Sequence, residues 1–413
     1  MNARTGRRRS WLTAPVLSVA GLSLGAGISA FGVTAVVGDV AATFGEVTVD
    51  DGSLGRIGLP VTTVGIALAV VRAASLGSLW LAAVADRHGR RRVLLSVAAV
   101  GYGLSSLAAL SPGFWWYVAL VALARPCLSA LNAVAGVVAA EASRSVDRAG
   151  ALGLIAAAYG LGSGIVSVGR GLLPGDPSFR VVAAFSLVPL LLVPLLAPHV
   201  SEPAIARGRV RADGLPGAVP RLYRRRVAVL AFLVGMIAMA TGPGFTYLFV
   251  YGERVLHASP LEVAALVLAA GPMGLIGILL GRWGADRFGR RVTGAVTLGG
   301  TGLAVAVAYS GGFGHLAVGY LCTVLLGGAF APAQGALAAE LVPTAIRATV
   351  AGWLTVTGVI GAVLGLATFG IVADATGGFT VAAWSLGGIV AASAVVFHAL
   401  PETRGLELED LEA

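Results

Sequence analysis

Two arginines interrupt long apolar runs in this sequence. Arg72 lies 14 positions before Asp86, and Arg125 lies 16 positions before Glu141. If these runs are membrane-spanning helices that rise about 1.5 Å per residue, Arg72 lies near mid-membrane, and Arg125 likewise lies within a span. Arginine there costs roughly 2.5–3.5 kcal/mol, so each is expected to face protein or water rather than lipid. A guanidinium in such a place binds carboxylate or phosphate through paired hydrogen bonds; the alternative is a structural bond to a carbonyl or hydroxyl.

Composition defines the elements that must position these arginines. The chain has 413 residues, of which 57% are hydrophobic and only 12% are charged, and its mean hydropathy is +0.88. These values exclude a soluble globular domain and predict an all-α membrane protein, because a spanning helix uses about 20 apolar residues. A β-barrel would instead show alternating segments of about ten residues.

Twelve apolar runs predict twelve transmembrane helices, six before and six after one polar linker. The predicted division is a six-helix half at 1–198, a basic cytoplasmic linker at 199–226, a second half at 227–400 and a cytoplasmic tail at 401–413. The predicted spans are 12–38, 57–84, 93–110, 114–140, 149–169, 180–198, 227–250, 261–284, 292–310, 315–339, 346–372 and 379–400.

The positive charge is distributed unevenly between the loops. All 29 basic residues are arginines, and the net charge is +9. Most of them lie on alternate loops that share one side, which by the positive-inside rule is cytoplasmic. We therefore expect a multi-pass protein of the cell (inner) membrane with both termini in the cytoplasm, and no nucleic-acid partner. The arginines assigned to loops on the other side are Arg56, Arg170, Arg180 and Arg254.

A pair of motifs recurs at an offset of about 200 residues. Residues 86–91 read DRHGRR after the second span, and residues 286–291 read DRFGRR after the eighth. Glu141 and Arg148 stand seven apart after the fourth span, and Glu340 and Arg347 stand seven apart after the tenth. This agreement predicts a duplicated six-helix unit.

The two intramembrane arginines are present in only one copy of the duplicated unit. The positions in the second half that correspond to Arg72 and Arg125 are Pro272 and Val324, so neither arginine belongs to the repeated scaffold. No carboxylate lies deep in a predicted span to neutralise them, which makes an anionic or polyhydroxylated substrate a plausible counter-ion.

The loop motif, the 6+6 layout and the basic linker resemble the major facilitator superfamily of secondary transporters. The resemblance implies two pseudo-symmetric six-helix bundles that work by alternating access. The end of the last span, Pro401-Glu402-Thr403-Arg404-Gly405, is similar to the tail of sugar and metabolite porters. One departure is the glycine that usually opens the loop motif, which is Ala82 in the first copy and Arg282 in the second.

The resemblance also implies a cytoplasmic gate, in which the motif aspartate pairs with arginine and faces the positive amino terminus of a helix in the other half. The alternative is that these loop charges only set the topology. The gate residues implied in this way are Asp86, Arg90, Glu141, Arg148, Asp286, Arg290, Glu340 and Arg347.

Substrate and coupling residues follow from the same resemblance. A helix-four arginine such as Arg125 is associated with substrate binding or proton coupling in this superfamily. Helices 1, 4, 7 and 10 usually line the cavity, so Asn132, Tyr247 and Gln334 are candidate ligands, with interhelical bonding as the alternative. The aspartate that many proton-coupled porters carry in helix one is absent, and the nearest carboxylate is Asp39. Uniport, proton coupling through Asp39 and anion exchange all remain open.

The predicted function is secondary active or facilitative transport of a small polar metabolite, anionic or polyhydroxylated, by a protein that works as a monomer. The chain lacks lysine and therefore a G-x-x-x-x-G-K-[ST] phosphate loop, so a gradient must supply the energy. Cys127 and Cys322 lie in separate apolar runs far from histidine. We therefore expect no cofactor, no metal site and no enzymatic activity. The alternatives are a drug or metabolite exporter of the same fold and a non-transporting membrane sensor.

Glycine pairs spaced four apart suit close helix packing within such a bundle. The pairs are Gly160 with Gly164, and Gly361 with Gly365.

Overall fold

The computed structural model of the protein describes residues 12–47, 52–144, 147–173, 178–201 and 217–404. Within these ranges twelve helices are long and apolar enough to cross a membrane. The prediction of twelve spans is therefore confirmed. Most of the predicted linker (residues 202–216) and of the predicted tail (405–413) lies outside the described residues.

The helices before the linker begin and end close to the predicted limits. Their bounds are α1 Ala14–Phe44, α2 Val61–His88, α3 Arg90–Leu110, α4 Phe114–Glu141, α5 Arg148–Leu172 and α6 Phe179–His199. Helix α2 consists of two segments, Val61–Ala74 and Gly77–His88.

The helices after the linker repeat this pattern. Their bounds are α7 Arg224–Val255, α8 Pro260–Phe288, α9 Arg290–Ala308, α10 Phe313–Glu340, α11 Arg347–Thr376 and α12 Phe379–Ala399. Helix α7 ends in a π-helical turn, Val250–Val255. Such turns are rare and frequently occur at functional sites, because they displace the side chains from the regular helical register.

The two copies of the loop motif adopt the same backbone geometry. Gly89 separates α2 from α3 with φ 96°, and Gly289 separates α8 from α9 with φ 102°. A side chain is strained at such positive φ values, whereas glycine adopts them freely. The glycine of each D-R-x-G-R-R motif thus ends one helix and lets the next begin immediately.

Packing separates the chain into two compact units. The first comprises Met1–Val33, Ala74–Gly169 and Leu173–Gly214. In its core, the buried Tyr102 of α3 donates a hydrogen bond from its hydroxyl to the carbonyl of Leu22 in α1.

The second unit comprises Thr34–Ala73, Arg170–Leu172 and Leu215–Ala413. It therefore includes the last part of α1, the first part of α2 and the end of α5, packed with α7–α12. An aromatic cluster lies in its core, with Tyr247 and Phe369 stacked at 4.8 Å between ring centroids.

Two of the predicted glycine contacts hold and one does not. A Cβ added at Gly361 or Gly365 of α11 would lie 2.0 or 2.1 Å from a carbonyl oxygen of α7, so only glycine permits this approach. Gly160 meets nothing within 4 Å, and the prediction for it is wrong. In α5 it is Gly162 that faces a carbonyl oxygen of α1, at 2.2 Å from its added Cβ, because two positions along a helix turn the residue to the opposite face.

Candidate functional site

A cluster of four charges lies in the second unit, where the ends of α1, α5 and α7 meet. We call Asp39, Arg170, Glu253 and Arg254 the four-charge cluster. The Arg170 Nε lies 3.0 Å from Asp39 Oδ2, and its Nη2 lies 2.7 Å from the same oxygen. Arg170 also donates two hydrogen bonds to Glu253, one of them 2.6 Å from Nη2 to Oε2. Arg254 Nη2 completes the cluster at 2.7 Å from Asp39 Oδ1.

The centre of this cluster is almost completely buried. The side chain of Arg170 is 2% exposed and that of Asp39 is 5% exposed. Burying a charge costs several kcal/mol. The attraction between paired charges offsets this cost only when the geometry is good and the remaining donors and acceptors are hydrogen-bonded. The cluster meets both conditions, since two carboxylates face two guanidinium groups and Arg170 bonds to both carboxylates.

Three helix ends bring these charges together. Asp39 lies in the last turns of α1, Arg170 lies two residues before the end of α5, and Glu253 and Arg254 lie in the π-helical turn of α7. The assignment of Arg170 and Arg254 to loops is therefore wrong, because both lie within helices. A sequence signal existed: the apolar runs of α1, α5 and α7 each end next to a charge, and these charges include both signs.

A second charged contact in the same unit joins α11 to α2. Asp374 accepts hydrogen bonds from the backbone N–H groups of Val61 at 2.9 Å and Thr62 at 2.7 Å. These are the first N–H groups of α2, which have no partner within their own helix. A carboxylate at this position also interacts favourably with the positive end of the helix dipole.

In the first unit, the motif residues form a triad of charges. Arg90 donates to Asp86 Oδ1 from Nε at 3.1 Å and from Nη2 at 3.0 Å. Arg90 Nη1 also forms an ion pair with Glu141 of α4. We call Asp86, Arg90 and Glu141 the first-repeat triad. It ties the end of α2 and the start of α3 to the end of α4.

The second unit contains the equivalent arrangement, the second-repeat triad. Arg290 lies 3.6 Å from Asp286 Oδ1 and 3.3 Å from Glu340 Oε1. Glu340 also accepts a hydrogen bond from the hydroxyl of Thr403. Next to it, Glu402 accepts from the backbone N–H of Arg290 at 2.9 Å and so caps the start of α9. The Pro-Glu-Thr-Arg segment thus supports this triad directly.

The arginines seven residues after each glutamate make other contacts. Arg148 is exposed at the start of α5, and Arg347 donates from Nε to the carbonyl of Ala339 at 2.9 Å. Within the described residues neither forms an ion pair with Glu141 or Glu340, whose arginine partners are those of the DR-x-GR motifs.

The candidate substrate residues occupy different surroundings. Arg72 and Arg125 are each half-buried, on α2 and α4, and Arg125 Nε is buried without a hydrogen-bond partner among the described residues. Asn132 Oδ1 accepts from Ser23 of α1 at 2.5 Å. Gln334 is half-buried on α10.

Tyr247 lies in the aromatic cluster of the second unit. It is fully buried, and its hydroxyl donates to the carbonyl of Leu366 in α11 at 3.3 Å. Asn132 and Tyr247 thus both make interhelical contacts here, while Asp39 belongs to the four-charge cluster.

The family model of the Major Facilitator Superfamily matches residues 17–321. The chain belongs to the Major Facilitator Superfamily. Members of this superfamily are membrane transporters, so the protein is a transporter that works by alternating access and is not an enzyme. No curated protein matches the sequence.

Several solved superfamily structures share the fold. A bacterial homologue of the human lysosomal transporter Spinster, inward-facing and occupied, has a TM-score of 0.73 and 15% identity over 93% of this chain and 95% of its own. The xylose transporter XylE from E. coli has a TM-score of 0.70 and 17% identity over 96% and 98%. The nucleoside transporter NupG has a TM-score of 0.75 and 13% identity over 92% and 99%.

Proposed function

We propose that this superfamily member is a secondary transporter that moves a small polar, anionic metabolite, and that the four-charge cluster closes its pathway on the side away from the termini. The observation that carries the gate proposal is the burial of Arg170 between Asp39 and Glu253. Arg170 and Asp39 come from the first six helices, whereas Glu253 comes from the seventh.

The cluster is suited to a gate because its energy depends on whether water has access. In the closed state each guanidinium is balanced by carboxylates at short distance. When α7 separates from α1 and α5, water enters and solvates the same charges, so opening exchanges one favourable environment for another. Two states of similar free energy are what alternating access requires.

Asp374 acts in the same gate. Its two hydrogen bonds to the start of α2 hold α11, a helix of the second half, against a helix of the first. Opening would break both bonds together with those of the four-charge cluster.

The two triads act on the cytoplasmic side. Asp86 and Asp286 are 40% and 64% exposed, so the contact of each aspartate with its arginine is worth at most about 1 kcal/mol. Such small contributions are sufficient to bias two conformations of nearly equal free energy. In this proposal the gate on the termini side is tuned by weak contacts and the opposite gate by buried ones.

The intramembrane arginines support the proposed substrate class. Arg125 has a buried Nε without a described partner. The corresponding position in the second half is Val324, so the arginine is not part of the repeated scaffold. A carboxylate or phosphate on the substrate would supply the missing acceptor through the two-point geometry that guanidinium favours.

Asp39 is the proposed coupling residue if transport is proton-linked. Charged groups that face it are Arg170 and Arg254, and Glu253 lies on the other side of Arg170. Protonation of Asp39 would leave the two arginines with one carboxylate, which would weaken the gate. Proton binding and opening are thereby linked.

Counterflow in proteoliposomes tests this proposal. Purified protein is reconstituted and loaded in turn with monocarboxylates, dicarboxylates, sugar phosphates and neutral sugars, with and without a proton gradient. We expect exchange of at least one anionic class. Exchange of neutral sugars alone would overturn the proposed substrate class.

We further propose that the protein acts as a monomer in the inner membrane, with both termini in the cytoplasm. The support is the arginine distribution along the sequence. Protease protection of terminal tags in oriented vesicles tests the orientation; a protected amino-terminal tag in inside-out vesicles would contradict it.

A further inference from the structure

A groove of about 460 Å³ lies on the second unit, where α8 ends beside the segment that follows α12. Its volume falls within the range of roughly 300–1,000 Å³ that small-molecule sites occupy. We call it the arginine groove. The residues that line it are Leu279, Arg282, Trp283, Asp286, Arg287 and Arg404.

The arginine groove lies at the level where an apolar helix surface becomes charged. Helix α8 has 29 residues, which at about 1.5 Å per residue makes it longer than the hydrocarbon core of about 30 Å. Leu275 and Leu279 are 66% and 67% exposed on its apolar part, and Trp283 is 57% exposed one turn further on. Tryptophan concentrates at the membrane–water interface, so the groove lies at headgroup depth.

The arginines of the groove have N–H donors that lack acceptors in the described part of the chain. Within the described residues, the side chains of Arg282, Arg287 and Arg404 form no hydrogen bond or ion pair, and all three are exposed. The single carboxylate in the lining, Asp286, is paired with Arg290. The groove therefore carries a net positive charge that nothing in the described chain neutralises.

The repeat shows that these side chains are additions to the scaffold. At the corresponding positions of the first half, 200 residues earlier, Arg282, Trp283 and Arg404 are replaced by Ala82, Ala83 and Ala204. Topology alone does not require them, because the first half keeps its own arginines at the D-R-x-G-R-R motif without this set.

We propose that the arginine groove binds the phosphate headgroup of an anionic phospholipid in the leaflet on the side of the two termini. The guanidinium groups supply two-point hydrogen bonds to phosphate oxygens. The Trp283 ring packs beside the glycerol region, and the exposed leucines of α8 contact an acyl chain. Basic pockets on the cytoplasmic side of membrane proteins bind anionic headgroups in this way.

The apolar part of the groove decides between lipid and another anionic occupant. The sequence after Arg404 contains four carboxylates, at Glu407, Glu409, Asp410 and Glu412. These would match the charge of the groove, and Leu406, Leu408 and Leu411 lie between them. Leu275 and Leu279, however, lie on the apolar part of α8, where a segment with four carboxylates is costly to place and an acyl chain is not. A phospholipid satisfies both requirements.

Lipid retention by the full-length protein tests the proposal. The protein is placed in nanodiscs of phosphatidylcholine alone or mixed with phosphatidylglycerol, and retained lipids are counted by native mass spectrometry. The test variant is R282A/R404A. The control is R92A/R225A, which removes the same charge from exposed positions outside the groove. Thermal unfolding of both variants verifies that they fold.

We expect the test variant to retain phosphatidylglycerol roughly ten- to thirtyfold more weakly, since each arginine near an anionic surface contributes about fivefold. The control should stay within about twofold of the wild type, and phosphatidylcholine retention should not change. Equal losses in test and control variants would overturn the proposal, because they would indicate general surface charge. Glycerol phosphate competing as strongly as the lipid would assign the groove to a soluble anion. Phosphatidylglycerol binding that needs removal of residues 405–413 would assign it to the tail.

Discussion

Arg170 and Asp39 are separated by 131 positions in the sequence and are joined by a two-point ion pair, with Arg170 Nε and Nη2 at 3.0 and 2.7 Å from Asp39 Oδ2. Because the pair is buried, removing one of its charges leaves the other buried with fewer opposite charges. The pair connects the ends of α1 and α5, and Glu253 and Arg254 join it to α7. In the proposed gate these contacts to α7 are the ones that break on opening.

Replacing Arg170 with methionine should destabilise the protein strongly. The substitution leaves Asp39 and Glu253 buried with Arg254 as the remaining described arginine of the cluster, and breaking a buried pair costs about 3–5 kcal/mol. The measurement is thermal unfolding in detergent. The matched control is Arg225→Ala, an exposed arginine in the first turn of α7, which should cost less than about 1 kcal/mol.

Thermal unfolding of a double variant tests whether Arg170 and Asp39 interact. In R170M/D39N the charge of Asp39 is removed together with its partner, so the double variant should be more stable than R170M. A double variant whose loss equals the sum of the two single losses would show that the pair has no mutual interaction in the folded protein.

Replacing Asp374 with alanine should favour opening at the ends of α2 and α11. The variant loses two hydrogen bonds to the start of α2, an effect of about 1 kcal/mol by analogy with a helix cap. Spin labels on these two helix ends should report a larger population of long distances. Thr376→Ala, in the same turn of α11, is the control and should leave the distances unchanged. Identical distributions in both variants would remove Asp374 from the gate.

Replacing Asp86 with asparagine should shift the protein towards inward-facing conformations. Arg90 keeps its ion pair with Glu141 in this variant, so the fold is preserved while the charge proposed to act on the other half is lost. Labelled pairs on the predicted cytoplasmic ends should move to longer distances. Arg92→Ala, an exposed loop-proximal charge on α3, is the control. Distances that do not change in Asp86→Asn would refute this role.

Replacing Arg125 or Arg72 with alanine should weaken substrate binding. Loss of a two-point contact to an anion should raise the apparent dissociation constant by about tenfold or more, since hydrogen bonds to charged groups contribute about 1.5–3 kcal/mol. Arg125→Lys should recover part of the affinity, because lysine keeps the charge but not the paired geometry. Uptake in reconstituted vesicles provides the measurement. Unchanged affinity in both alanine variants would exclude the anionic substrate hypothesis.

The sequence was sufficient for the scaffold because its signals are local or repeated. The twelve spans follow from apolar length, and both glycines of the D-R-x-G-R-R motifs adopt the same positive φ. The motif arginines Arg90 and Arg290 contact their aspartates four residues away, across the glycine turn, so these contacts are local in the sequence.

The four-charge cluster could not be predicted in this way. The predicted spans stopped at 38, 169 and 250, just before Asp39, Arg170 and Glu253, because a search for apolar runs ends at the first charge. In the structure, α1, α5 and α7 continue past these limits. The charges are buried because they neutralise one another across helices, and such long-range pairing leaves no mark within a single apolar run.

The direction in which the side chains point also could not be predicted from the sequence. Asn132 and Tyr247 lie on predicted cavity helices, yet their contacts here are with Ser23 and with the carbonyl of Leu366. Whether a polar residue in a span faces a cavity or a neighbouring helix depends on the rotation of its helix. In a bundle that is apolar on all sides, periodicity does not report this rotation.

A reversible crosslink beside the four-charge cluster tests the central claim most directly. A Cβ built on Gly38 of α1 lies 3.8 Å from the Cα of Val250 in α7, so cysteines at these two positions are close enough to be crosslinked. The measurement is counterflow, in a background where Cys127 and Cys322 are alanine, of the substrate that the metabolite panel identifies. We predict that oxidised G38C/V250C stops exchanging substrate and that reduction restores exchange, while each single cysteine variant is unaffected. Counterflow at the wild-type rate with the crosslink fully formed would contradict the account.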